Sequence, residues 1–186
     1  MWWSDRRSLC GLRQAGALAL AASLGGCFQP LYGDHALDGG PNLRAALGQV
    51  TVQQISANPG TDEARVAVEL RNALIFDLTG GGEGSRPAYS LQVRMSPTLA
   101  DIIVDTTTTR PAIENYGLTA TYTLTEIASG KVVVNSQTFA RVSSDIPGQE
   151  QRFARLRGLR DAETRAAKVI ADNIRTRLAS YFAAGT

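Results

Sequence analysis

The run from Gly117 to Ile127 (GLTATYTLTEI) alternates without a break. Leu118, Ala120, Tyr122 and Leu124 fall on one side, and Thr119, Thr121, Thr123 and Thr125 on the other. Successive strand side chains point to opposite faces, so this run demands a sheet with one buried face and one polar face. Ala128-Ser129-Gly130-Lys131 follows, and its glycine supplies the permissive backbone of a hairpin turn. Val132 to Val142 then returns antiparallel. Its alternation is imperfect, which predicts either a bulge near Ser136 or a strand covered on both faces.

The same period appears upstream. Tyr89, Leu91, Val93 and Met95 oppose Ser90, Gln92 and Arg94. Pro97 cannot donate to a ladder, so the strand either bends there or lies at an edge. Asp101 to Thr109 (DIIVDTTTT) is rich in β-branched residues and continues the extended chain. An earlier strand is expected at Gln49 to Ser56, ended by Asn58-Pro59-Gly60.

Two segments carry the helical period instead. Thr61 or Asp62 caps a helix in which Val66, Leu70, Ala73, Leu74 and Leu78 share a face and Arg65, Glu69, Arg71 and Asn72 take the other. The glycine run Gly80 to Gly84 stops it. That run follows a helix, whereas a phosphate-binding loop follows a strand and opens a helix, so it reads as a plain loop. After Pro147-Gly148, Gln149 to Ala183 contains no proline and reads as one long helix. Its apolar stripe is Phe153, Leu156, Leu159, Ala166, Ile170, Ile174, Leu178 and Phe182, and Gly158 weakens it by about 1 kcal/mol without requiring a break.

The order βαβββα makes a meander with one earlier strand joining it, and two amphipathic helices need a sheet face to cover. The expected fold is α+β: a two-layer sandwich of a four-stranded mixed sheet with both helices on one face. The other face is left with Thr, Gln and Ser side chains, which suits water or a partner.

The amino terminus sets the compartment. Arg6, Arg7 and Arg13 precede an apolar run, Ala15 to Leu24, and then Leu24-Gly25-Gly26-Cys27. A basic head, a short apolar middle and small residues make a secretory signal peptide. Cysteine directly behind them resembles a bacterial lipobox, in which the chain is cut before Cys27 and that residue is acylated. The apolar run is too short to span a bilayer. The expected organisation is a signal peptide at 1–26, a lipidated tether at 27–48 with a possible helical turn at Leu43 to Leu47, and a single domain at 49–186.

Cleavage also alters the charge. Three arginines and one aspartate leave with the signal peptide, from 19 basic and 17 acidic residues in all, so the mature chain is formally neutral. Bulk attraction to nucleic acid is not expected. Cys10 is removed and Cys27 is consumed by lipid, which leaves no disulfide or thiolate chemistry. His35 is the one histidine and lies in the tether, so neither a zinc site nor a Ser-His-Asp triad is expected. Asp101, Asp105 and Glu114 are the acids near strand ends, and nothing in the sequence marks them as buried or paired with a nucleophile. No cofactor is expected beyond the covalent lipid on Cys27.

Gly26-Cys27-Phe28-Gln29-Pro30-Leu31-Tyr32-Gly33 resembles the start of the mature lipopolysaccharide-assembly lipoproteins of the LptE family, in their alphaproteobacterial form. The resemblance continues through Thr109-Arg110, the Tyr122-Thr123-Leu124 strand with its Gly130 turn, and Phe153-Ala154, Ala162, Arg165-Ala166 and Ala171-Asp172-Asn173-Ile174-Arg175 in the terminal helix. It implies a protein that is not an enzyme. It implies a lipid anchor in the outer membrane, where Phe28 stands in place of an inner-membrane retention Asp. It also implies a seat inside the large β-barrel LptD, as plug and assembly aid, and contact with lipopolysaccharide. Phosphates would call for basic side chains. Arg94 and Arg110 are the candidates on the sheet, and Arg155, Arg160, Arg165 and Lys168 those on the terminal helix, whose basic residues otherwise read as a solvated face with local ion pairs. The alternative is a periplasmic lipid-binding or auxiliary lipoprotein of an envelope lipid transporter.

Overall fold

In a computed structural model of the chain, residues 42–81, 86–103, 111–145 and 152–184 are described. Strands β2 (Tyr89–Ile103), β3 (Pro111–Glu126) and β4 (Val132–Asp145) pair antiparallel in chain order, and the short β1 (Val50–Val52) lies parallel to β2 at the edge. The sheet is therefore mixed, in the order β1-β2-β3-β4. The hairpin between β3 and β4 closes as expected: Gly130 takes φ 68° and its N–H donates to the Glu126 carbonyl at 2.8 Å.

The register fixes which side chains share a face. Leu91, Leu124 and Val134 stand side by side, as do Val93, Tyr122 and Ser136. Leu91, Leu118, Ala120, Tyr122, Leu124 and Val134 are buried on this inner face. Register shifts between Leu124, which pairs with Val134, and Thr125, which pairs with Val132. Val133 is thus the extra residue, and the bulge lies three residues before the Ser136 position expected from the alternation.

Pro97 does not interrupt β2, which runs on in register past Leu118. The Gln53 amide donates to the Leu91 carbonyl, so odd-numbered residues of β2 direct their backbone polar groups towards β1. β1 ends at Val52, and the imide nitrogen of Pro97 therefore faces an edge that no described strand covers. β1 itself is only three residues long, shorter than the expected Gln49 to Ser56. The chain leaves the ladder after Gln53 and turns Ile55 into the core.

Helices α2 (Asp62–Thr79) and α3 (Arg152–Ala184) cover the inner face, and a short α1 (Leu43–Leu47) packs against both. The helical turn expected at Leu43 to Leu47 is present, and Ala46 and Leu47 are buried. Thr61 caps α2 by accepting from the Ala64 amide at 3.2 Å, and Gly80, at φ 69°, ends it by donating to the Phe76 carbonyl. Val66, Leu70, Leu74 and Leu78 of α2 meet Ile170, Ile174 and Leu178 of α3 in one core. Ala162, Ala166, Ala167, Ala171 and Ala179 are also buried, and their small side chains let α3 lie close to its neighbours.

α3 runs through Gly158 without a break. Its apolar stripe is buried from Ala162 to Leu178 but not at the start: Phe153 is 84% exposed and Leu156 53%. The first turns carry apolar side chains that nothing among the described residues covers. No described helix is long and apolar enough to cross a membrane.

Candidate functional site

Among the described residues, no helix covers the outer face of the sheet. Its side chains fall in rows across three strands: Gln92, Thr123 and Asn135; Arg94, Thr121 and Gln137; Ser96, Thr119 and Phe139; Thr98, Gly117 and Arg141. Over these rows the face holds two guanidinium groups, no carboxylate, and an aromatic ring that is 71% exposed at Phe139. A Cβ at Gly117 would come within 2.4 Å of Thr98 Oγ1, so a larger residue in the last row would make the exposed Thr98 hydroxyl turn aside. The platform is broad, polar and weakly cationic, and suits a hydrophilic counter-surface.

Between the layers, two carboxylates are buried and paired. Glu114, on the inner face of β3 and 1% exposed, accepts from Arg155 Nη2 of α3 at 2.9 Å. Glu163 of α3, 4% exposed, accepts from Arg65 Nη2 of α2. Arg65 also approaches Asp62 at 3.7 Å. Desolvation lowers the Arg65 pKa, but the hydrogen bond and charge of Glu163 outweigh it and hold the guanidinium above its ordinary value. Beside this pair Tyr116 is pushed up to about 12, first by burial and then by the negative charge of Glu163. A groove of about 240 Å³ opens here, lined by Asp62, Glu63, Leu99, Tyr116, Leu159 and Glu163 among others.

The basic residues singled out in the sequence do not converge. Arg94 is exposed on the outer face, whereas Arg155, Arg160, Arg165 and Lys168 lie on α3, across the sheet. Arg155 is engaged by Glu114, and Arg165 Nε pairs with Asp161 at 2.8 Å while its Nη2 reaches the Ser143 carbonyl at 3.5 Å. Arg160 and Lys168 are exposed. Cys27 and Arg110 lie outside the described residues, as do His35 and Asp105. Sequence reasoning missed Arg141, which joins the Arg94 face once the bulge is set at Val133. It also took Glu114 as unburied, when the inward register of β3 puts it beneath α3. Among the described residues, no three His, Cys, Asp or Glu side chains come together to hold a metal ion.

A four-stranded mixed sheet backed by two helices, with a polar opposite face that no described helix covers, defines a two-layer α+β domain. The chain belongs to the LptE family of lipopolysaccharide assembly, whose family model matches residues 47–178, and so has a role in lipopolysaccharide transport. No curated protein matches it. Among solved structures, a protein of Caulobacter crescentus described as a lipoprotein shares 19% identity at TM-score 0.60, covering 77% of this chain and 97% of its own. Rare lipoprotein B from Shewanella oneidensis shares 13% identity at TM-score 0.50, covering 70% of this chain and 93% of its own. At these identities the two structures establish likeness of fold.

Proposed function

We propose that this chain is an outer-membrane lipoprotein, acylated at Cys27, that plugs the lumen of the LptD β-barrel, helps it assemble and serves lipopolysaccharide delivery to the cell surface. It acts by contact and not by catalysis. The observation that carries the reading is the polar outer face, which no described helix covers, with its rows of Thr, Gln and Asn. The lumen of a membrane barrel is polar, and a plug needs a surface of matching character on a rigid body. Cys27 follows a signal peptide and is itself followed by Phe28, which fits an anchor facing the periplasm. Arg94 and Arg141 on the outer face, with Arg160 and Lys168 on α3, are the groups free to meet phosphate or a barrel carboxylate.

Photo-crosslinking in living cells tests it. A photoreactive residue at Thr121, in the middle of the outer face, is expected to give an adduct with a large β-barrel protein, and one at the exposed Thr176 on α3 to give much less. Recovery of only the monomer after gentle solubilisation, with no barrel adduct from either position, refutes the plug. Mass spectrometry of the amino-terminal peptide gives the expected acylated Cys27.

A further inference from the structure

Three large apolar side chains stand in solvent at one end of the domain. Ile127 and Val132 are each 51% exposed, and Phe76 is 64% exposed. Ile127 and Val132 flank the turn between β3 and β4. Val132 pairs with Thr125, so Ile127, two residues further on, lies diagonal to it on the outer face. Phe76 lies in the last turn of α2, where a Cβ on Gly81 would come within 3.1 Å of its ring.

A line of contacts joins these positions across the end. The Ile127 amide donates to the Ala88 carbonyl and the Ala88 amide to the Gln49 carbonyl, both at 2.9 Å. The Gln49 amide donates to the carbonyl of Ala46 in α1. Arg44 of α1 lies beside the C-cap of α2, its Nη2 3.8 Å from where a Cβ on Gly80 would stand. The ring of Phe182, near the end of α3, meets that of Tyr89 at 5.1 Å. The hairpin turn, both long helix C-termini and α1 therefore share one pole.

That pole is cationic at its surface. Arg44, Arg86 and Lys131 are exposed there. Of the acids nearby, Glu126 accepts from the Ser129 hydroxyl, and Asp77 is offset by the charge of Arg175. Apolar tips ringed by cations suit an anionic lipid interface, where the tips enter the headgroup boundary and the cations meet lipid phosphates.

The exit of the chain favours the same occupant. α1 begins at Leu43, so the segment leading back to Cys27 departs from this pole. The 15 residues from Cys27 to Asn42 reach about 50 Å at most. A tether of that length keeps the pole at high effective concentration over whatever holds Cys27, so weak contacts suffice. We propose that the free lipoprotein, before it meets a barrel, stands on the phospholipid leaflet through this pole. Ile127, Val132 and Phe76 lie at headgroup level, and Arg44, Arg86 and Lys131 meet anionic lipid. The proposal rests on acylation of Cys27, as the functional reading holds. It stands the sheet on end, with β2 rising about 30 Å from Tyr89 to Thr98.

The acylated full-length protein, reconstituted without a barrel into vesicles of phosphatidylcholine and phosphatidylglycerol, tests this. With Cys10 gone and Cys27 acylated, an introduced cysteine is the single site for an environment-sensitive dye. Headgroup-spin-labelled lipid is expected to quench dye at Ile127→Cys or Val132→Cys about threefold more than dye at Thr98→Cys. Adding Arg44→Glu, Arg86→Glu and Lys131→Glu is expected to bring the Ile127→Cys signal down to the Thr98→Cys level. Equal quenching at the two ends of the sheet, or a contrast untouched by the charge reversals, overturns the proposal. Flotation with the vesicles reports the anchor separately. Protein that floats but shows equal quenching refutes the docking alone, whereas protein that does not float refutes acylation and docking together.

Discussion

Removing the Arg65 side chain leaves Glu163 charged between α2 and α3 with no guanidinium. Glu163 is 4% exposed, so its carboxylate would have little water to replace the lost partner. Breaking a buried pair from one side costs about 3–5 kcal/mol, because the remaining charge is stranded. The Arg65 side chain is 32% exposed, which gives water some access and puts the expected cost of Arg65→Met at the low end, about 3 kcal/mol. Glu163→Gln keeps an acceptor for the guanidinium and is expected to cost about 1 kcal/mol. The double change Arg65→Met with Glu163→Met replaces the pair by apolar side chains of similar volume and is expected to fall well below the Arg65→Met value. Urea unfolding followed by circular dichroism resolves these differences. With a slope of roughly 2 kcal/mol per molar, Arg65→Met lowers the midpoint by about 1.5 M. A loss under about 0.5 kcal/mol for Arg65→Met, or a double variant less stable than the single, refutes the stranded-charge account.

Two further outcomes follow from local geometry. The Tyr116 phenol titrates at about 12 in the fold against 10 in the open chain. The fold therefore keeps a proton that the unfolded chain releases. The associated stability is full below pH 10 and is lost as pH rises to about 12, by no more than about 2–3 kcal/mol. Urea unfolding across that range is expected to show a steeper decline for the wild type than for Tyr116→Phe. Thr61→Ala removes the oxygen that accepts from the Ala64 amide and is expected to cost about 1 kcal/mol, with Thr61→Ser nearly neutral in the same assay.

Much of the fold was legible because its elements carry unambiguous periods. Leu118 to Leu124 alternate over a full strand, and Val66, Leu70, Leu74 and Leu78 repeat every turn, so the type and facing of β3 and α2 followed directly. Errors came where local pattern and tertiary setting part company. Phe153 and Leu156 continue the stripe of α3, yet periodicity cannot tell where the neighbouring layer ends. Glu114 looked like a solvated strand-end acid because charge argues for exposure, but the inward parity of β3 continues past Tyr116, and a guanidinium from a residue 41 positions away neutralises it. The contact surface was half legible. Arg94 followed from the β2 alternation, while Arg141 depended on a one-residue bulge at Val133 that fixes parity for the rest of β4. Of Arg155, Arg160, Arg165 and Lys168, Arg155 and Arg165 are drawn into ion pairs with Glu114 and Asp161, which the sequence could not apportion.

α3 is 33 residues long, about 50 Å at the α-helical rise, and the 16-residue β3 beneath it extends about 53 Å. One internally bonded rod thus backs the strand along nearly its whole length. Bowing the sheet would require stretching or buckling that rod across several turns at once, so the body resists flexure as a beam does.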